Sequence, residues 1–202
     1  MKTSSVRHRC TGALLALLLA GTATTASAQP AAFPETLLDA AAAQIGVTLY
    51  YDPAYARIPY PGGDVPPERG VCTDVVIRAY RGIGVDLQQR VHEDMRAVWT
   101  AYPKLWGLRS TDRNIDHRRV PNLATFFARH GRALAVSQTD ASIYAPGDIV
   151  TWRLASGVPH IGLVSAQRSN GRPLIVHNIG AGTQREDMLF DYVITGHYRY
   201  EP

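Results

Sequence analysis

The chain predicts an α+β fold, from three observations. Apolar residues recur at helical spacing up to Gly131, strand-like runs follow from Pro146, and Asn170-Gly171 marks a hairpin between two of those runs. Helices first and an antiparallel sheet second is the α+β order. No repeat, low-complexity tract or linker interrupts it.

The N-terminus has the three parts of a secretory signal. Lys2, Arg7 and Arg9 are basic, Ala13 to Ala20 is an apolar run, and Ala26-Ser27-Ala28 is an A-x-A cleavage site. The run is too short for a membrane span, which takes about 20 residues. The expectation is a signal peptide over residues 1–28 and one domain over 29–202, exported to the periplasm or beyond, with no membrane span after cleavage. Three of the 21 Lys and Arg leave with the signal, which takes the formal +4 close to balance. Beyond Arg118-Arg119 there is no basic run, so nothing argues for nucleic acid. Of the two cysteines, Cys10 departs and Cys72 remains without an internal partner.

Pro34 to Ile45 reads as a helix with Leu37, Leu38, Ala41 and Ile45 on one face and Gly46 as its stop. Val47 to Tyr51 is a brief strand, and Asp52 to Pro67 a turn-rich connection containing Tyr60-Pro61-Gly62-Gly63-Asp64. The helix from Cys72 buries Val75, Val76, Ala79, Tyr80 and Ile83 and ends at Gly82 or Gly84. A second begins at Asp86, with Gln89 spaced for a capping box, and runs to Pro103 through Leu87, Val91, Met95, Val98, Trp99 and Tyr102. Lys104 to Val120 is an ordered loop. A helix after Pro121 buries Leu123, Phe126 and Phe127 and stops at Gly131. Asp148–Trp152, His160–Ser165, Leu174–His177 and Ile194–Tyr200 are the strands.

Chemistry concentrates at Cys72. A helix N-terminus favours negative charge, and thiolate is the nucleophilic form of cysteine. A cysteine hydrolase needs an imidazole to move the thiol proton and a third polar group to orient that imidazole. His160 begins one strand and His177 ends the next, so an antiparallel pairing sets them side by side.

Gly70-Val71-Cys72-Thr73-Asp74, Pro146-Gly147-Asp148-Ile149-Val150-Thr151-Trp152, His160-Ile161-Gly162-Leu163-Val164 and Ile175-Val176-His177 occur in the order seen in NlpC-type cell-wall cysteine peptidases, which they resemble. Tyr60-Pro61-Gly62-Gly63 is similar to a turn upstream of that family's nucleophile. The whole chain also resembles an exported bacterial family known only as domain of unknown function 1287. The resemblance implies a papain-like α+β fold with N-terminal helices on an antiparallel sheet and the nucleophile at a helix N-terminus. It implies Cys72 as nucleophile, His160 as base and acid, and His177 as orienter, with Asn178 the alternative. Tyr60 matches a tyrosine near the thiol, with Tyr51 and Tyr55 as rivals, and the Cys72 N–H contributes to an oxyanion hole. Peptidoglycan or muropeptides are the implied substrate.

Thr73-Asp74 replaces that family's Ser-Gly, and Asp74 opposes thiolate formation unless it faces away or caps the helix. Asp116, His117, Arg118 and Arg119 read as a solvated loop or as substrate contacts, since arginine forks suit carboxylates. Trp99 and Trp106 read as core, and Asp148 as a turn residue. Zinc on Cys72, His160 and His177 lacks close ligand spacing, and no metal or cofactor is expected. Two other readings stand beside the hydrolase: a non-catalytic wall-binding module, and a thiol acyltransferase, whose usual His-before-Cys order this chain reverses.

Overall fold

The computed structural model describes residues 1–2 and 32–202, so nearly all of the predicted signal lies outside the described residues. Four helices precede a sheet: α1 (Phe33–Ala42), α2 (Cys72–Gly82), α3 (Leu87–Ala97) and α4 (Val120–His130). Two short strands, β1 (Tyr50–Tyr51) and β2 (Arg69–Gly70), pair in parallel just ahead of α2. The sheet holds β3 (Arg132–Ala133), β4 (Ile149–Arg153), β5 (Pro159–Ser169), β6 (Arg172–His177), β7 (Gln184–Glu186) and β8 (Val193–Arg199). Its order is β3-β8-β4-β5-β6-β7, antiparallel at every junction. No described helix is long and apolar enough to cross a membrane.

Strand alternation sorts the core into two. Ile149, Ile161, Leu163 and Val176 pack with Cys72, Val75, Val76, Leu87 and Phe127 on the helix side. Val150, Trp152, Val164 and Ile175 pack with Tyr144 and Leu189 on the other side. The hairpin forms where Asn170-Gly171 predicts it: both residues take positive φ, 49° and 80°, the twist a two-residue turn needs.

Several local expectations shift. α1 ends at Ala42, and Ile45 is exposed instead of buried, because the turn at Gly46 swings the chain away while Gln44 reaches into the core to bond the Val75 carbonyl at 2.9 Å. α3 ends at Ala97, well before Pro103, and a 3-10 turn over Trp99–Ala101 carries the apolar pattern on. Asp86 caps α3 by accepting from the Gln88 and Gln89 N–H groups, but Gln89 turns to Glu93 at 2.9 Å, so the capping box is only half made. Asp148 is fully buried: it accepts from the Ala145 N–H, from Arg199 through two nitrogens at 2.6 and 2.9 Å, and from His197 at 2.8 Å. It ties the start of β4 to β8 rather than merely closing a turn.

Candidate active site

α2 starts on a constrained turn. The Val71 N–H donates to Asp74 Oδ2 at 2.7 Å, which satisfies one of the orphan donors of the helix start and puts an acid where the helix dipole favours it. The same carboxylate accepts a fork from Arg118, Nε to Oδ1 at 2.8 Å and Nη2 to Oδ2 at 2.9 Å, with both side chains buried. The Thr73 hydroxyl donates to the Arg118 carbonyl at 3.2 Å, and Asn178 Nδ2 donates to the Gly70 carbonyl at 3.1 Å. Gly70 sits close against the Asp74–Arg118 pair: a Cβ there would stand 3.1 Å from Asp74 Oδ2, so the carboxylate would have to shift by a few tenths of an ångström. Asp74 therefore caps the helix and is neutralised by Arg118. Asn178 holds the turn before the nucleophile and does not touch His160.

Cys72 is only 4% exposed. Burial pushes its thiol up to about 12, and the Asp74 charge adds to this, while the N–H groups of Ile161, Thr73 and Cys72 itself act the other way. The helix N-terminus alone predicts an easily ionised thiol; desolvation outweighs it.

The two histidines meet. His160 Nε2 lies 2.9 Å from His177 Nδ1, their rings are edge-to-face, and His177 Nε2 lies 2.8 Å from Glu186 Oε2 on β7. A carboxylate only accepts, so His177 donates from Nε2 and is left with an accepting Nδ1. His160 must then donate from Nε2, which leaves the lone pair on its Nδ1. Both rings are neutral near pH 7: burial lowers His160 to about 3 and lowers His177 against the opposing pull of Glu186. Gly162 makes room for this line, since a Cβ there would stand 2.6 Å from Ile175 Cγ2 and 3.1 Å from His177 Cβ. Glu186 escaped the sequence reading because β7 is a three-residue, half-exposed edge strand with no periodicity to detect.

Cys72 and His160 approach β5 from adjacent residues. The thiol packs on the helix side with Ile161, whereas His160 pairs across the ladder with Trp152, its ring 5.8 Å from the indole. The expected hydrogen bond between them is not made: among the described residues, Cys72 Sγ bonds to neither histidine. His160 and Ile161 are neighbours on β5 and project to opposite faces of the sheet, so the imidazole and the thiol lie on different sides of the strand, and neither histidine lines the cavity beside Cys72.

A cavity of about 400 Å³ opens beside the thiol, lined by Cys72 with Tyr51, Val71, Trp106, Arg119 and Val158 among others. Tyr51 thus takes the place expected of Tyr60, and burial followed by the Cys72 charge raises its pKa. Tyr60 lies elsewhere, edge-on to His92 at 5.3 Å with its hydroxyl 3.4 Å from Glu93, and Tyr55 bonds Asp112. Trp106 is 61% exposed, not core. Asp116, His117 and Arg118 are buried in a 3-10 turn, contrary to a solvated loop. Asp116 accepts from the Asp112 N–H at 2.8 Å and lies 2.9 Å from His92 Nδ1, while burial lowers His117 to about 3. Among the described residues, no group of three or more His, Cys, Asp or Glu is placed to hold a metal ion.

Two outcomes follow for stability. Arg118→Ala or Asp74→Ala strands a buried charge, so each should lower unfolding free energy by about 3–5 kcal/mol, and the double variant should lose clearly less than the sum. Urea titrations check this; additive losses would refute the pairing. The buried histidines supply a pH dependence. His117 and His160 sit near 3 when folded against 6.5 unfolded, so their contribution is full above pH 6.5 and is lost as pH falls toward 3. Denaturation midpoints should fall across that window, and less steeply in His117→Gln.

Comparison with known proteins places the chain. Residues 38–200 match the family model described as "Domain of unknown function (DUF1287)". The chain is 57% identical over 165 residues to the uncharacterized protein YijF of Escherichia coli (strain K12), covering 81% of this chain and 80% of that protein. Among solved structures, NlpC1 from Trichomonas vaginalis overlays with a TM-score of 0.45 at 16% identity, over 86% of this chain. The chain spans 46% of that protein's length. With most of its length matched by the family model and a relative this similar, the chain belongs to the DUF1287 family.

Proposed function

We propose that this chain is an exported, papain-like thiol hydrolase that cleaves a peptide or amide bond in peptidoglycan through an acyl-enzyme. The observation that carries the reading is the line His160–His177–Glu186, bonded at 2.9 and 2.8 Å, which leaves a bare Nδ1 on a histidine one residue from the Ile161 N–H that faces the Cys72 sulfur. The Cys–His–His order along the chain and its resemblance to NlpC-type peptidases support it, as does the open cavity beside the thiol. The signal-like residues 1–28 support export, and with export peptidoglycan becomes an accessible substrate.

In this reading the resting pair is neutral, thiol and imidazole. The step requires the His160 imidazole to be brought to the thiol's face of β5; then, as Cys72 Sγ bonds to the scissile carbonyl carbon, its proton passes to His160 Nδ1, and the Cys72 N–H donates to the developing oxyanion. His160 then protonates the leaving nitrogen as the C–N bond breaks. Water attacks the thioester, giving its proton to His160, and the thiol is released with the carboxylate product. His177 and Glu186 hold the imidazolium that forms twice in this cycle.

Muropeptide digestion analysed by mass spectrometry tests the proposal. Wild type should release products that Cys72→Ala does not, and Glu186→Gln should reduce kcat about 10- to 100-fold by weakening the hold on His177 while leaving KM nearly unchanged. Identical product profiles from wild type and Cys72→Ala would sink it.

One observation favours a second reading, a wall-binding module without catalysis: the thiol is 4% exposed and its pKa is pushed up to about 12. That reading expects sacculus binding undiminished in Cys72→Ala and alkylation of Cys72 at neutral pH slower than free cysteine. Labelling far faster than free cysteine would exclude it.

A further inference from the structure

The two adjacent arginines of the buried turn have opposite fates. Arg118 spends its fork on Asp74. Arg119, the next residue, has a buried Nη1 that bonds to nothing among the described residues. Its guanidinium lies over the Trp106 ring, 5.4 Å from the centroid, and both side chains line the cavity that holds Cys72. No carboxylate lines that cavity. Asp112 is an acid that feels Arg119, whose charge helps to lower its pKa. Asp112 is already committed: its oxygens accept from the Tyr55 hydroxyl and from the N–H and side-chain amide of Asn114.

A buried guanidinium N–H without an acceptor is costly to leave unmade, and charged donors are the worst case. The guanidinium lines the cavity with no carboxylate beside it, and the ligand group that suits it is an anion whose planar fork matches it. The rest of the lining says what else the ligand carries. Val71, Val158 and Pro159 are apolar, and the exposed indole of Trp106 offers a flat face at the mouth. A free inorganic anion would leave those surfaces unused.

We propose that Arg119 is the carboxylate-recognition residue of this cleft, and that the ligand beside Cys72 is a peptide bearing a free carboxylate close to the bond presented to the thiol, its aliphatic part lying against Trp106. This rests on the peptidoglycan reading above, whose stem peptides are rich in such groups, and it names which of their features the cleft reads. Arg119 is a binding residue here and takes no part in the proton transfers of His160.

Equilibrium binding, with catalysis removed, tests the assignment. A purified stem-peptide muropeptide with free carboxylates, and the same compound fully amidated, are titrated by calorimetry into Cys72→Ala and into Cys72→Ala/Arg119→Gln. Amidation should weaken binding to Cys72→Ala about 10- to 100-fold, the scale of one charged hydrogen-bonded pair. Arg119→Gln should weaken the free-carboxylate ligand by a similar factor and be nearly indifferent to amidation. Arg119→Lys should restore only part of the discrimination, since a point charge lacks the fork. Equal sensitivity to amidation with and without Arg119 would overturn the proposal, as would failure of the free-carboxylate compound to bind Cys72→Ala. Failure of the hydrolase reading is separately visible: if wild type and Cys72→Ala give the same digestion profile while Arg119 still governs the amidation effect, the carboxylate site stands on a binding module.

Discussion

The buried ion pair between Arg118 and Asp74 is the constraint on which the site depends. Two charges withdrawn from water are tolerated only when each finds its hydrogen bonds, and here the carboxylate serves a fork and a backbone N–H at once. That arrangement does three jobs. It caps the helix bearing Cys72, it fastens the 116–118 turn against that helix, and it sets the next residue, Arg119, on the wall of the cavity. Asp148 repeats the device on the sheet, where one buried carboxylate joins β4 to β8 through Arg199 and His197. Asp74 and Asp148 are thus two buried carboxylates, each bonded at both oxygens, that fasten separate segments together.

The electrostatics of the thiol follow from a contest of terms. The helix start and three nearby N–H groups favour the thiolate, while burial and Asp74 favour the thiol, and burial is the largest. The histidines are held neutral by the same desolvation. A resting thiolate–imidazolium pair is therefore disfavoured. A buried, protonated thiol is also one that resists oxidation, since the thiolate is the reactive form. With both rings neutral, the tautomers follow from Glu186 being an acceptor, and that one carboxylate propagates its preference through two rings to the free nitrogen of His160.

How much of this was legible in the chain differs by residue. The helix starting at Cys72, the hairpin at Asn170-Gly171 and the side-by-side histidines rest on short-range rules of capping, turn chemistry and alternation, and those rules held. Trp106, Tyr51 and the 116–118 turn misled, because their fate depends on segments that fold back from elsewhere in the chain, as Arg118 does on Asp74, 44 positions away. A cluster of charge reads as a solvated surface until its partners are known. Tyr60 sits in the turn the motif predicts and still faces His92, since the turn's register does not say which way the ring leaves it.

By itself the sequence determined the α+β order of elements, the position of Cys72 at a helix start and the pairing of His160 with His177, because local periodicity and a two-residue turn are enough for each. Only the tertiary structure decided that Asp74 is paired with Arg118, that Glu186 stands behind His177, that Tyr51 and not Tyr60 flanks the thiol, and that Arg119 lines the cavity beside it. Those are outcomes of desolvation and of contacts between segments far apart in the chain, and no window of neighbouring residues contains them.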